Sequence, residues 1–108
     1  MHVILMQIPI DVDRKQEFDQ LINSEQGLAF TQQKPGFISA ESGYTTDDEG
    51  NLVWNCWEKW ETREHFHTYH AQRLEDTEFI NKWFSITEGN RPLWIEELST
   101  TTNSKHDK

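Results

Sequence analysis

The chain has 108 residues, enough for one small domain whose core is completed by association more easily than alone. A formal net charge of −9 argues against a polyanionic partner such as nucleic acid, and against an anionic membrane surface. The single cysteine, Cys56, excludes an internal disulfide and points to a reduced, cytoplasmic setting. Aliphatic content is modest, so five Trp, six Phe and two Tyr must supply much of the core.

His2 to Ile10 (HVILMQIPI) is rich in β-branched residues and reads as a strand. It has no basic flank and is too short to span a bilayer, so it is neither a signal nor an anchor. Pro9 lacks a ladder donor and marks the strand's exit or an edge. Gln7 is the one polar side chain between Val3 and Ile10. A buried amide must be tied to a neighbour or placed to orient a ligand, and both remain open.

Asp11-Val12-Asp13 supplies a helix cap. Phe18, Leu21, Ile22, Leu28 and Ala29 form the buried stripe of a helix that bends or restarts near Gly27. Lys34-Pro35-Gly36 ends it. Phe37 to Thr46 is a second strand, and the turn Asp47–Asn51 joins it to a third in an antiparallel hairpin.

The third strand, Leu52 to Trp60, alternates at period two: Leu52, Trp54, Cys56, Glu58 and Trp60 on one face, Val53, Asn55, Trp57 and Lys59 on the other. Bulky apolar groups on both faces mark a central strand, covered by helices on one side and by more protein on the other. At Glu61-Thr62 the period changes, with Thr62 as N-cap. Phe66, Tyr69, Arg73 and Leu74 then recur on one helical face. Helical spacing resumes at Asp76-Thr77, with Phe79, Ile80, Trp83 and Phe84, and stops at Glu88-Gly89-Asn90. Arg91 to Leu98 reads as a fourth strand. Residues 1–98 are thus one domain, and Ser99 to Lys108, with no apolar residue, reads as a disordered tail.

The order β-α-β-β-α-β predicts a ferredoxin-like α+β fold: a four-stranded antiparallel sheet with the helices on one face. Helices cover one side only, and the apolar face left over predicts a homodimer.

In this order and spacing, Trp60-Glu61-Thr62-x-Glu64-x-Phe66 resembles the W-E-S-x-E-x-F signature of the antibiotic biosynthesis monooxygenase domain, and Lys34-Pro35-Gly36-Phe37 resembles its x-P-G-F step into the second strand. The resemblance covers residues 2 to 98. It implies a dimeric α+β barrel and a cofactor-independent oxygenase acting on a small aromatic or quinol-type molecule. A branch of the family degrades haem with a first-strand amide, a tryptophan and a ligating histidine. Those positions fall here on Gln7, Tyr69 and Phe79, and Phe79 cannot ligate iron.

The residues themselves offer three ways to act. His65, His67 and His70 cluster on the third-strand-to-helix segment, but no fixed zinc spacing is matched, and a partly packed histidine face is the simpler reading. No phosphate loop, dinucleotide fingerprint or nucleophile elbow is present. Catalysis would then need only a pocket base and preorganised donors, with no cofactor and no metal. Gln7, Tyr69 and His70 are the candidate catalytic groups, and Trp60, Phe66, Phe79 and Trp83 the candidate substrate-binding groups. Haem binding through His67 or His70, and a non-catalytic dimeric module for a small apolar ligand, are the alternatives.

Overall fold

The computed structural model describes residues 1–90 and 92–95. The first strand, β1 (His2–Ile10), leads through a 3-10 turn at Val12–Arg14 into α1 (Lys15–Ile22). The Asp11 side chain accepts from the Asp13 N–H and so caps this turn, as the acidic cluster predicts. The chain restarts at Gly27 as α2 (Leu28–Gln32). A Cβ at Gly27 would sit 2.0 Å from the Ile22 carbonyl oxygen, so only glycine permits this break.

Hairpin strands β2 (Phe37–Thr46) and β3 (Leu52–Trp60) follow. Gly36, which precedes β2, has φ +84°, and a Cβ there would lie 2.2 Å from the His65 ring. The strand therefore enters the sheet through a position that only glycine fills. Next come α3 (Arg63–Glu75), α4 (Thr77–Ile86) and a short β4 (Leu93–Ile95). Thr62 Oγ1 accepts from the His65 N–H at 3.1 Å, and Asp76 Oδ1 from the Phe79 N–H at 3.1 Å, so each helix has its own cap. The expected fourth strand is seen at Leu93–Ile95. Pro92 precedes the strand, and the rest of the predicted segment, with the polar tail, lies outside the described residues.

The sheet order is β2-β3-β1-β4, with antiparallel pairing throughout. This is the ferredoxin-like α+β fold, and β3 is central as its two-sided apolar pattern requires. Register places Ile4 opposite Glu58, Met6 opposite Cys56 and Ile8 opposite Trp54 on the helix-covered face. These residues are buried. On the reverse face Leu5 stands opposite Trp57 and Gln7 opposite Asn55, all half-buried.

Two core clusters lie under the helices. One gathers Phe18, Leu21, Ile22, Trp54, Phe79 and Ile86 with Met6, Ile8 and Ile10 of β1. The other packs Ile4, Trp60, Phe66 and Tyr69, with Phe30 and Phe37 against them. No helix among the described residues is long and apolar enough to cross a membrane.

Candidate functional site

A cavity of about 270 Å3 lies between the sheet and the helices. This is near the lower end of the ~300–1,000 Å3 usual for small-molecule sites, so it suits a compact ligand. Met6, Trp54 and Glu58 form its floor on β1 and β3. Ile22, Gly27, Leu28 and Thr31 close one side. Tyr69, His70, Arg73 and Leu74 come from α3, and Phe79, Ile80, Trp83 and Phe84 from α4. Pro92 and Trp94 complete the wall. Leu74, Phe84 and Trp94 are exposed, so the mouth has an apolar rim.

The aromatic residues hold one another in fixed orientations. Trp83 packs against Phe18 (5.2 Å between centroids), Trp54 (6.2 Å) and Phe79 (6.1 Å). His70 stacks on Phe66 at 5.5 Å and meets the edge of Trp94 at 5.3 Å, which places it at the rim, half-buried.

A buried polar cluster crosses this apolar space. The Arg73 guanidinium donates from Nε to Tyr69 Oη (3.1 Å), from Nη2 to Thr31 Oγ1 (2.8 Å) and the Gly27 carbonyl (2.9 Å), and from Nη1 to the Gln26 carbonyl. It also lies over the rings of Phe79 (4.3 Å) and Phe30 (4.6 Å). Such pairing is what a buried guanidinium requires. Thr31 Oγ1, while accepting from Arg73, donates to Tyr69 Oη at 2.9 Å. Tyr69 Oη thus accepts two hydrogen bonds, and its own hydrogen is left to donate elsewhere. Burial pushes the Tyr69 phenol above its ordinary pKa, and the Glu58 carboxylate adds to this, so it stays protonated as a donor.

Glu58 is the second buried charge. Its Oε1 accepts from Trp60 Nε1 at 3.0 Å, and Cys56 Sγ lies 3.6 Å from Oε2. Burial raises its pKa, while the Trp60 and Cys56 hydrogen bonds and the charge of Arg73 pull the other way. Burial also pushes the Cys56 thiol up, with the Glu58 charge adding, so Cys56 is inert as a nucleophile.

The structure brings four of the sequence-predicted residues to the cavity: Tyr69, His70, Phe79 and Trp83. It does not bring Gln7. Strand parity puts Gln7 on the reverse face, where its Nε2 donates to Asn55 Oδ1 at 2.6 Å. Trp60 and Phe66 also stand outside. Trp60 is wholly buried, stacked on Tyr69 at 5.0 Å and edge-on to Phe37, and Phe66 is buried beside it. Packing has filled the space a ligand would need there. Glu58, Arg73 and Thr31 were not among the expected site residues. A signal existed for one of them: Glu58 is the only charged residue on the otherwise apolar face of β3.

A haem does not fit these residues. Phe79 occupies the ligand position, its ring is covered by Arg73, and the cavity is too small to enclose a macrocycle. Among the described residues no group of three or more His, Cys, Asp or Glu side chains is placed to hold a metal ion.

No family model matches the chain, and no curated protein does. Solved structures do. A candidate antibiotic biosynthesis monooxygenase of Deinococcus radiodurans superposes with a TM-score of 0.70 at 13% identity, over 99% of this chain and 100% of that one. A dimeric ferredoxin-like protein from an uncultured marine organism gives 0.74 at 9% identity, over 94% and 97%. A monooxygenase of Streptomyces coelicolor, in complex with nanaomycin D, gives 0.64 at 18% identity, over 95% and 92%. At these identities the likeness is one of fold. The chain has the ferredoxin-like α+β fold that these proteins share.

Proposed function

We propose that this chain is a cofactor-independent monooxygenase that oxidises a small planar phenol, quinol or anthrone-type carbon acid. The observation that carries the reading is the cavity itself: aromatic walls sized for a compact flat molecule, crossed by a buried donor and a buried carboxyl group. The shared fold supports it, since a protein of that fold is a monooxygenase seen with a small molecule bound.

The chemistry needs little apparatus. An acidic C–H or O–H of the ligand gives its proton to a basic group on the wall. The carbanion or phenolate then passes an electron to dioxygen, and the radical pair joins as a peroxide. Loss of water leaves a carbonyl, so a methylene and O2 become a ketone and H2O. The substrate supplies all the electrons. Tyr69 donates its free hydrogen to the developing oxyanion, and Phe79 and Trp83 hold the ring plane. Two groups on the wall have the basicity to take the proton: His70 at the rim and Glu58 on the floor. Gln7 stands outside this scheme.

The protein works as a homodimer in this reading. Leu5 and Trp57 on the reverse face, with exposed Leu93 on the neighbouring strand, form an apolar surface that a second copy would cover. A dimeric protein of this fold supports that arrangement.

The test is oxygen uptake with anthrone in chelator-treated buffer. One O2 should be consumed per anthraquinone formed, and Tyr69→Phe should lower the rate by ~100-fold. Saturable quenching of tryptophan fluorescence without any oxygen uptake would replace the enzyme with a ligand-binding module.

A further inference from the structure

We propose that Glu58 is the catalytic base of this cavity: the carboxylate that removes the ligand's proton, while Tyr69 donates to the oxyanion left behind. The assignment rests on the monooxygenase reading above. It starts from position. Register sets Glu58 between Ile4 on β1 and Ala40 on β2, on the sheet face that packs against the helices. Neither neighbour needs a carboxylate, and among the described residues no Lys or Arg side chain forms an ion pair with it. Its bonded partners, Trp60 Nε1 and Cys56 Sγ, both belong to its own strand. Each carboxylate oxygen therefore keeps acceptor capacity for a ligand on the cavity floor.

The surroundings tune it. Cys56 on its own strand, and Tyr69, His70 and Arg73 on α3, are the titratable or charged groups that face it across the cavity. The α1–α2 side contributes Thr31, and α4 contributes Phe79 and Trp83, none of which changes charge. Burial favours the neutral acid and raises the pKa of Glu58, while the two hydrogen bonds and Arg73 favour the anion and limit the rise. His70, stacked on Phe66 and edge-on to Trp94, stands at the rim.

In the step, the substrate C–H bond breaks, its electron pair stays on carbon, and an O–H bond forms on Glu58. The carbanion adds to O2, and Glu58 returns its proton to the peroxide anion. On the second C–H the same carboxylate takes the proton as hydroxide leaves, and passes it to that hydroxide as water. The carboxylate is regenerated.

Proton removal is measured apart from oxygenation by following, by NMR, deuterium exchange at the anthrone methylene in oxygen-free D2O. The wild-type protein should accelerate exchange above buffer, with an acid limb in the rate. Glu58→Gln keeps an oxygen acceptor for Trp60, and should slow exchange by ~100-fold or more and erase that limb. Glu58→Asp should retain part of the rate, and His70→Gln should lose less than Glu58→Gln. Exchange in Glu58→Gln at the wild-type rate, or the reverse order for the two variants, overturns the assignment. Trp60→Phe removes the donor that favours the anion, so its acid limb should move to higher pH; this variant decides the matter if Glu58→Gln does not fold, and an unmoved limb counts against Glu58. Exchange without oxygen uptake in air would keep the base and sink the monooxygenase. Oxygen uptake undiminished in Glu58→Gln would do the opposite, and neither activity in the wild type would sink both.

Discussion

The two faces of the sheet are made from alternate residues of the same strands, yet they treat polar groups differently. On the reverse face Gln7 and Asn55 stand opposite each other and satisfy one another side by side, with Asn55 Nδ2 also donating to Thr45 Oγ1 at 3.0 Å. On the helix-covered face Glu58 is bonded to Trp60 and Cys56 of its own strand, and Arg73 reaches across to backbone carbonyls. A polar residue on the open face completes the sheet. One on the closed face is an expense that packing alone does not explain, and it marks the place where a ligand has something to meet.

The largest effect that would break this contrast is on packing. Trp60→Ala, wholly buried on the closed face, should cost about 3–5 kcal/mol in denaturant unfolding. Trp57→Ala on the open face should cost less than half as much within one protomer, and show instead as weaker self-association in sedimentation. Equal losses for the two would erase the distinction between the faces.

Next comes the polar cluster. Arg73→Met leaves the Gly27 and Gln26 carbonyls and Thr31 without their donor, and should destabilise by about 3 kcal/mol. A cost below ~1 kcal/mol would mean that the guanidinium does not tie the two helical segments together.

A pH series sharpens the point for Glu58. Its folded-state pKa lies above the unfolded value, so the folded chain holds the extra proton between the two. This group's contribution to stability is therefore greatest below the ordinary carboxylate range and falls as pH rises through the folded value. Glu58→Gln lacks that slope, so the stability of the variant relative to wild type should improve over the pH range above the ordinary carboxylate values. Parallel unfolding curves for the two proteins across that range would contradict a buried, strained carboxylate.

The smallest effect belongs to Gln7. Gln7→Leu should leave anthraquinone quenching of tryptophan fluorescence unchanged, because the sheet lies between this side chain and the cavity. An affinity loss of tenfold or more would place Gln7 in functional contact with the site.

Much of the fold is written locally. The Thr62 cap, the Gly27 restart, the Lys34-Pro35-Gly36 exit and the Asp47–Asn51 turn are each decided by a few neighbouring residues, and the strands and helices begin and end at them. The site is not local. Gln7 looked like a pocket residue because Val3 and Leu5, on its own side of β1, are as apolar as Ile4 and Met6, which hides the strand's parity. Trp60 and Phe66 share the aromatic character of Phe79 and Trp83, and only the packed arrangement shows which pair closes a gap and which lines one. Arg73 was seen as part of a helical stripe, but its role depends on carbonyls 46 and 47 residues away along the chain.

Those carbonyls carry a consequence for how such a chain can diverge. Arg73 grips the link between α1 and α2 by its main chain alone, at Gln26 and Gly27. The link's course is therefore held with little call on its side chains, the exceptions being Ser24, whose hydroxyl donates to the Leu21 carbonyl, and Gly27, because no other residue fits beside Ile22. Homologues should drift freely at positions 23, 25 and 26, yet tolerate no insertion there, since one added residue would carry Thr31 out of Tyr69's reach.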